Sequence, residues 1–131
     1  MMLAERMDLL TKRPQGTLFP PAQNRAAWEA LPANDRMDME TFIAKWRGTP
    51  YPMLLLSDYA AFVRTGSRAQ CETPYFARRR KLIAAVLDVC LHGESADMSA
   101  VEDGLWCICE ETTWVLSAHN GSDHPGRPPM N

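Results

Sequence analysis

Residues 104–121 gather the densest binding chemistry in the chain, because Trp114, His119 and Asn120 follow closely on Glu110 and Glu111. An indole offers a flat apolar face on which a sugar ring can stack, and an imidazole beside an amide can bind hydroxyls or a carboxylate. The same residues have a plainer use, since a His-Asn-Gly sequence is also good turn chemistry. Glu110 and Glu111 are adjacent, so on a helix they project about 100° apart and make a poor pair of facing carboxylates.

Arg78, Arg79, Arg80 and Lys81 form the most conspicuous charge run. On a helix, Arg79 and Arg80 flank the apolar arc while Arg78 and Lys81 fall opposite it, so the run cannot present one face to a polyanion. Four cations near a helix start also oppose the helix dipole and call for carboxylate partners, for which Glu72, Glu110 and Glu111 are the candidates. Structural ion pairing is the favoured reading. Tyr51, Tyr59 and Tyr75 each stand beside a helix start or in a connector, which predicts half-buried rings with wet hydroxyls. His92 precedes Gly93 and suits a helix C-terminus, and neither it nor His124 has a partner nearby in sequence. Cys71, Cys90, Cys107 and Cys109 lack paired CxxC spacing, and Cys107 and Cys109 would point to opposite sides of a helix. They are expected to be reduced, buried thiols with no metal, and no cofactor is expected.

These residues must be held by something, and the composition says what. A chain of 131 residues is one domain's worth, and 46% apolar with 23% charged residues is enough to bury a core. The net charge of −2 gives no electrostatic footprint for nucleic acid or an anionic membrane. The N-terminus carries acids and no continuous apolar run, so no secretory signal is read there. No segment approaches the length of a membrane span, and the expected location is cytoplasmic.

The apolar spacing predicts an all-α chain of about six helices in three regions: residues 1–21 as an N-terminal helix and extended linker, 22–121 as the helical domain, and 122–131 as a Pro- and Gly-rich tail. The first helix is expected over residues 2–13 and the second over 22–31, the latter presenting Trp28 and Leu31. Asp38 is the expected N-cap of a third, with Met39, Phe42, Ile43 and Trp46 on one stripe and Gly48 as its stop. Ser57 is expected to cap a fourth that carries Tyr59, Phe62 and Val63 and ends at Gly66. Residues 67–73 read as a loop, and Thr73 before Pro74 reads as the start of the longest helix, over 74–91. Its apolar residues Phe76, Ile83, Val86, Leu87, Cys90 and Leu91 span too wide an arc for one packing surface. Ser99 and Glu102 form a capping box for the last helix, with Met98, Val101, Leu105, Ile108 and Cys109 as its buried stripe.

Several of these pieces recur in one order. Tyr51 and Pro52, then Asp58 and Tyr59 with Phe62, Gly66 and Arg68, then Glu72, Tyr75, Phe76 and Arg78 to Leu82, then Ile108 through Trp114, and finally Ala118, His119 and Asn120 together resemble the N-terminal region of the heparinase II/III-like family. The resemblance covers about residues 22–125. It implies helical hairpins forming part of an incomplete α/α toroid, of a kind resembling polysaccharide lyases that cleave uronic-acid-containing glycans by β-elimination. That reaction needs donors fixed on the uronate carboxylate, a base for the C5 proton and an acid for the leaving oxygen. By match to the motif, Trp114, His119 and Asn120 are cleft-lining, substrate-binding positions; the family's catalytic Asn, His and Tyr lie mostly on later helices. The family segment usually has proline where this chain has Ser117.

The chain stops at Asn131, within the loop that leads to the next toroid helix in the family, so the expected reading is an N-terminal fragment, inactive alone. Its expected partner is an acidic polysaccharide or oligosaccharide, and exposed apolar helix faces would favour self-association. The alternative is a self-sufficient helical module that meets a protein partner through Trp114 and the arginine run. A toroid-type glycoside hydrolase is a weaker third reading, given the poor pairing of Glu110 with Glu111.

Overall fold

The computed structural model describes residues 19–120. The expected helix over 2–13, His124 and the 122–131 tail lie outside them. Among the described residues the chain forms α1 (Arg25–Glu29), α2 (Ala33–Trp46), α3 (Leu56–Thr65), α4 (Ala69–His92) and α5 (Ser99–Cys109), with 3-10 turns at Gly93–Ser95 and Ser117–His119 and no strand. The all-α expectation holds for these residues.

α4 is the axis of the fold, and α1, α2, α3 and α5 all pack on it. The core is built from Trp28 of α1, Ile43 of α2 and Leu91 of α4, with Leu31, Met39, Leu87 and Cys90 around them. Arg25 ties this core to the end of α4: its guanidinium donates to the carbonyls of Cys90 at 2.6 Å and Leu91 at 2.7 Å. Those carbonyls have no donor within the helix, and a cation there also meets the favourable end of the dipole. Gly93, at φ +62°, then turns the chain back with the same guanidinium against it.

Helix starts differ from expectation where the early turns carry too few apolar residues to show a period. α2 begins at Ala33, well ahead of Asp38, with Pro32 at its N-cap and Met37 exposed. α3 begins before Ser57, because Asp58 accepts the Leu55 N–H at 3.0 Å and fixes the start there. α4 begins at Ala69, so the predicted loop over 67–73 is largely helix and Pro74 lies inside it. Proline there leaves the Gln70 carbonyl without its intrahelical donor, which is tolerable because Gln70 is exposed to water. The stops at Gly48 and Gly66 fall where expected, both with positive φ.

Two apolar stripes are rotated from their predicted positions. On α4, Phe76, Ile83 and Val86 are exposed, while Cys71, Ala84 and Leu91 are buried. On α5, Met98, Leu105 and Cys109 are exposed and the inward face is centred on Gly104. The reason is close approach: a side chain at 104 would overlap the Tyr51 hydroxyl and come within 2.9 Å of Leu82 Cδ1. Hydropathy counts Gly104 as neutral, but here the missing side chain is what lets α5 lie against α4. The predicted capping box is also replaced, since Ser99 donates both its N–H and its Oγ to Asp97 Oδ1, at 3.0 and 2.6 Å.

Candidate functional site

Where α5 ends, the chain turns back across α4 and closes a cleft of about 400 Å³ against the start of α3. Tyr59 of α3, Tyr75 and Arg78 of α4, and Glu110, Glu111 and Thr113 of the returning segment all line it. Its anchor is Glu111. The carboxylate accepts from Arg79 at 2.7 and 3.1 Å and from Arg78 at 3.3 Å, with the glutamate side chain only 2% exposed.

The two arginines are fixed from other directions as well. Arg78 Nε donates to the Pro52 carbonyl at 2.8 Å, and Arg79 donates to the Tyr75 carbonyl at 3.0 Å while its guanidinium carbon lies 3.3 Å from the centroid of the Tyr75 ring. Tyr75 in turn donates its hydroxyl to the Trp114 carbonyl at 3.0 Å, and the Trp114 indole N–H donates to the Ile108 carbonyl at 3.0 Å. The returning segment is thus stitched to both α4 and α5. Two guanidinium groups meet the Glu111 carboxylate, and Glu110 adds a second, exposed carboxylate to the same wall, so the charges there are balanced.

The arginine run therefore divides. Arg78, placed by projection opposite the apolar arc, points inward with Arg79 onto Glu111, and Arg80 is exposed. Of the three candidate carboxylates it is Glu111 that pairs with them. Ion pairing, rather than a polyanion face, is what Arg78 and Arg79 do.

The tyrosines depart from the expected wet hydroxyl. Tyr59 is buried, its hydroxyl approached by the Asn120 side chain without a well-formed hydrogen bond. Burial pushes its phenol pKa up, with Cys71 nearby adding to the rise and Asn120 opposing it. Tyr51 donates to the Ala100 carbonyl at 3.2 Å, and its pKa is raised by burial and then by Cys107 and Asp103. Both phenols stay protonated at neutral pH and are poor bases, and Tyr51 is the one of the two with an acceptor for its hydroxyl.

The three positions singled out in the sequence lie around the cleft without converging on one point. Trp114 is 56% exposed and sits between two residues of the cleft wall, Thr113 and Val115. His119 is exposed at the end of its 3-10 turn, and Asn120 stands beside Tyr59. Tyr59, Tyr75 and Arg78 belong to the cleft although none of them was expected as a binding residue. The signal that could have found them was the ordered set of segments itself, since the parts containing Tyr59, Tyr75 to Arg78 and Glu110 to Thr113 are the ones that meet here. Among the described residues no group of three or more His, Cys, Asp or Glu is placed to hold a metal ion, and no helix is long and apolar enough to cross a membrane. No family model matches the chain, and no curated protein matches it.

Proposed function

We propose that the chain forms one wall of a binding cleft for uronic-acid-containing glycans, as the opening helices of a heparinase II/III-like α/α toroid, and does not catalyse β-elimination by itself. The observation that carries this reading is the convergence of Tyr59, Tyr75, Arg78 and Glu111 beside an exposed Trp114. A wall that presents the Arg78 guanidinium with phenol and threonine hydroxyls suits a hydroxylated ligand that carries a carboxylate, and an open indole suits a pyranose face. Ser117 adds local support. It opens a 3-10 turn after an extended Leu116, backbone that proline also adopts, and its buried Oγ has no partner.

The same geometry argues against catalysis by this chain alone. Abstraction of the C5 proton needs an unengaged base, whereas Glu111 is held by two arginines and the pKa of Tyr59 is raised by burial. Glu110 is exposed, so it lacks the water exclusion that strengthens charge stabilisation. Isothermal titration of the full chain with a uronic-acid-containing tetrasaccharide should show saturable binding, with no unsaturated product formed. Equal heats from a neutral tetrasaccharide would overturn the reading.

A second reading, a helical module that docks a protein partner, is favoured by one observation: Trp106 is 70% exposed, with Met98 and Leu105 of the same region also exposed. In the toroid reading such faces receive further hairpins. Light scattering and hydrophobic-dye binding separate the two: a monodisperse chain that binds no dye and melts in one sharp transition favours the self-sufficient module.

A further inference from the structure

A second cleft, of about 630 Å³, lies between the end of α2 and the opposite flank of α4. Its floor is methyl-sized: Ala84 and Ala85 of α4, Ala96 of the connection into α5, and Ala100 in the first turn of α5. The space exists because small residues meet at the junction of three elements.

The two ends of this cleft differ in charge. Lys81 and Asp88 share a face of α4 and stand about 10 Å apart along its axis. At the Asp88 end the carboxylates have partners: Arg47 donates to Asp88 at 2.9 Å, His92 Nδ1 lies 2.6 Å from the same carboxylate, and His92 Nε2 lies 2.9 Å from Glu40. His92, read from the sequence as having no nearby partner, bridges two carboxylates. At the other end no carboxylate among the described residues pairs with Lys81. Its amine lies 3.5 Å from the Trp46 carbonyl and 4.9 Å from the Tyr51 ring centroid. Trp46 lines the same cleft, and its buried indole N–H has no acceptor.

A half-buried ammonium with no carboxylate partner among the described residues, at the end of a cleft with an apolar floor, is an arrangement that an anion completes. Asp97 restricts which anion. It is an exposed carboxylate in the same lining, so a dianion would be repelled while hydroxyl donors would be welcome. We infer that this cleft binds a small hydroxylated monocarboxylate, with its carboxylate on Lys81 and its hydroxyls toward Asp97. Uronic acids and simple hydroxy acids share that chemistry. The inference stands apart from the cleft at Glu111.

Amide chemical shifts of the full 131-residue chain, titrated separately with D-glucuronate, 3-hydroxybutyrate and neutral methyl glucoside, test it. D-glucuronate should shift the amides of Ala84, Ala85, Ala96 and Ala100 saturably. Lys81→Met should weaken this by about tenfold or more. Ala85→Leu, which fills the floor without changing charge, should do the same, and a far-UV melt confirms that each variant folds. Lys81-dependent shifts with 3-hydroxybutyrate alone support the same site with a non-sugar source. The inference is overturned if neither carboxylate shifts these amides, if methyl glucoside binds as well as glucuronate, or if both folded variants bind unchanged. Shifts confined to residues 112–115 would overturn it while leaving the glycan reading intact.

Discussion

Removing the Glu111 carboxylate breaks the most connected polar group of the candidate site, and its cost can be worked from the contacts. Glu111→Ala deletes the arginine donor contacts at 2.7, 3.1 and 3.3 Å from a carboxylate whose side chain is 2% exposed. Stranding the partners of a buried ion pair costs about 3–5 kcal/mol. Arg78 keeps the Pro52 carbonyl and Arg79 keeps the Tyr75 carbonyl and ring, which places the loss near the lower end, at about 3 kcal/mol. Glu111→Gln retains one acceptor oxygen and should lose about half as much. Glu110→Ala, at an exposed position next door, should stay within about 0.5 kcal/mol. Urea unfolding followed by far-UV circular dichroism at pH 7 measures all three, and a cycle with Arg79→Met should show coupling of about 1–3 kcal/mol. In a melt, Glu111→Ala should fall by about 10 °C. If it loses less than about 1 kcal/mol, or no more than Glu110→Ala, then Glu111 is not the anchor and the positioning argument fails.

Two further changes test the fold and its pH dependence. Gly104→Ala should destabilise by about 1–3 kcal/mol despite the better helix propensity of alanine, because the new Cβ meets Tyr51 and Leu82; a higher urea midpoint would refute the close packing of α5 on α4. Tyr59→Phe should be neutral or slightly stabilising at pH 7, since the buried hydroxyl has no well-formed bond to lose. The raised Tyr59 pKa favours the protonated phenol in the folded state, so its contribution is fully present below the unfolded value of 10.0 and is lost as pH rises through the higher folded value. Tyr51 acts with the same sign. Melts between about pH 7 and 11 should therefore show an alkaline decline that Tyr59→Phe makes shallower without abolishing; an unchanged decline would count against burial of that hydroxyl.

The sequence made the helical class legible because Gly48, Gly66 and Gly93 mark stops and the apolar residues recur at helical spacing. Helix starts were harder to read, since the first turn of α2 faces water and the first turn of α4 buries only Cys71, too little to show an apolar period. The stripes on α4 and α5 were misplaced for a different reason. Periodicity locates an apolar arc but not the neighbour it meets, and Arg78 and Lys81 turned inward because Glu111, Pro52 and Trp46 supply acceptors there. Glu111 was among the candidate partners, yet nothing local distinguished it from Glu110; only the turn after Cys109 decides which carboxylate faces α4. Trp114 was legible as an exposed indole, whereas the burial of Tyr59 depends on three separate segments folding over it.

The most direct test of the account follows the Trp114 indole N–H and the amides of residues 112–115 by NMR during titration with a uronic-acid-containing tetrasaccharide. Saturable shifts are expected at these groups, weakened by Trp114→Ala and by Arg78→Met and absent with a neutral tetrasaccharide of the same length. Shifts that are absent, that the neutral sugar reproduces, or that survive both substitutions would contradict the glycan reading.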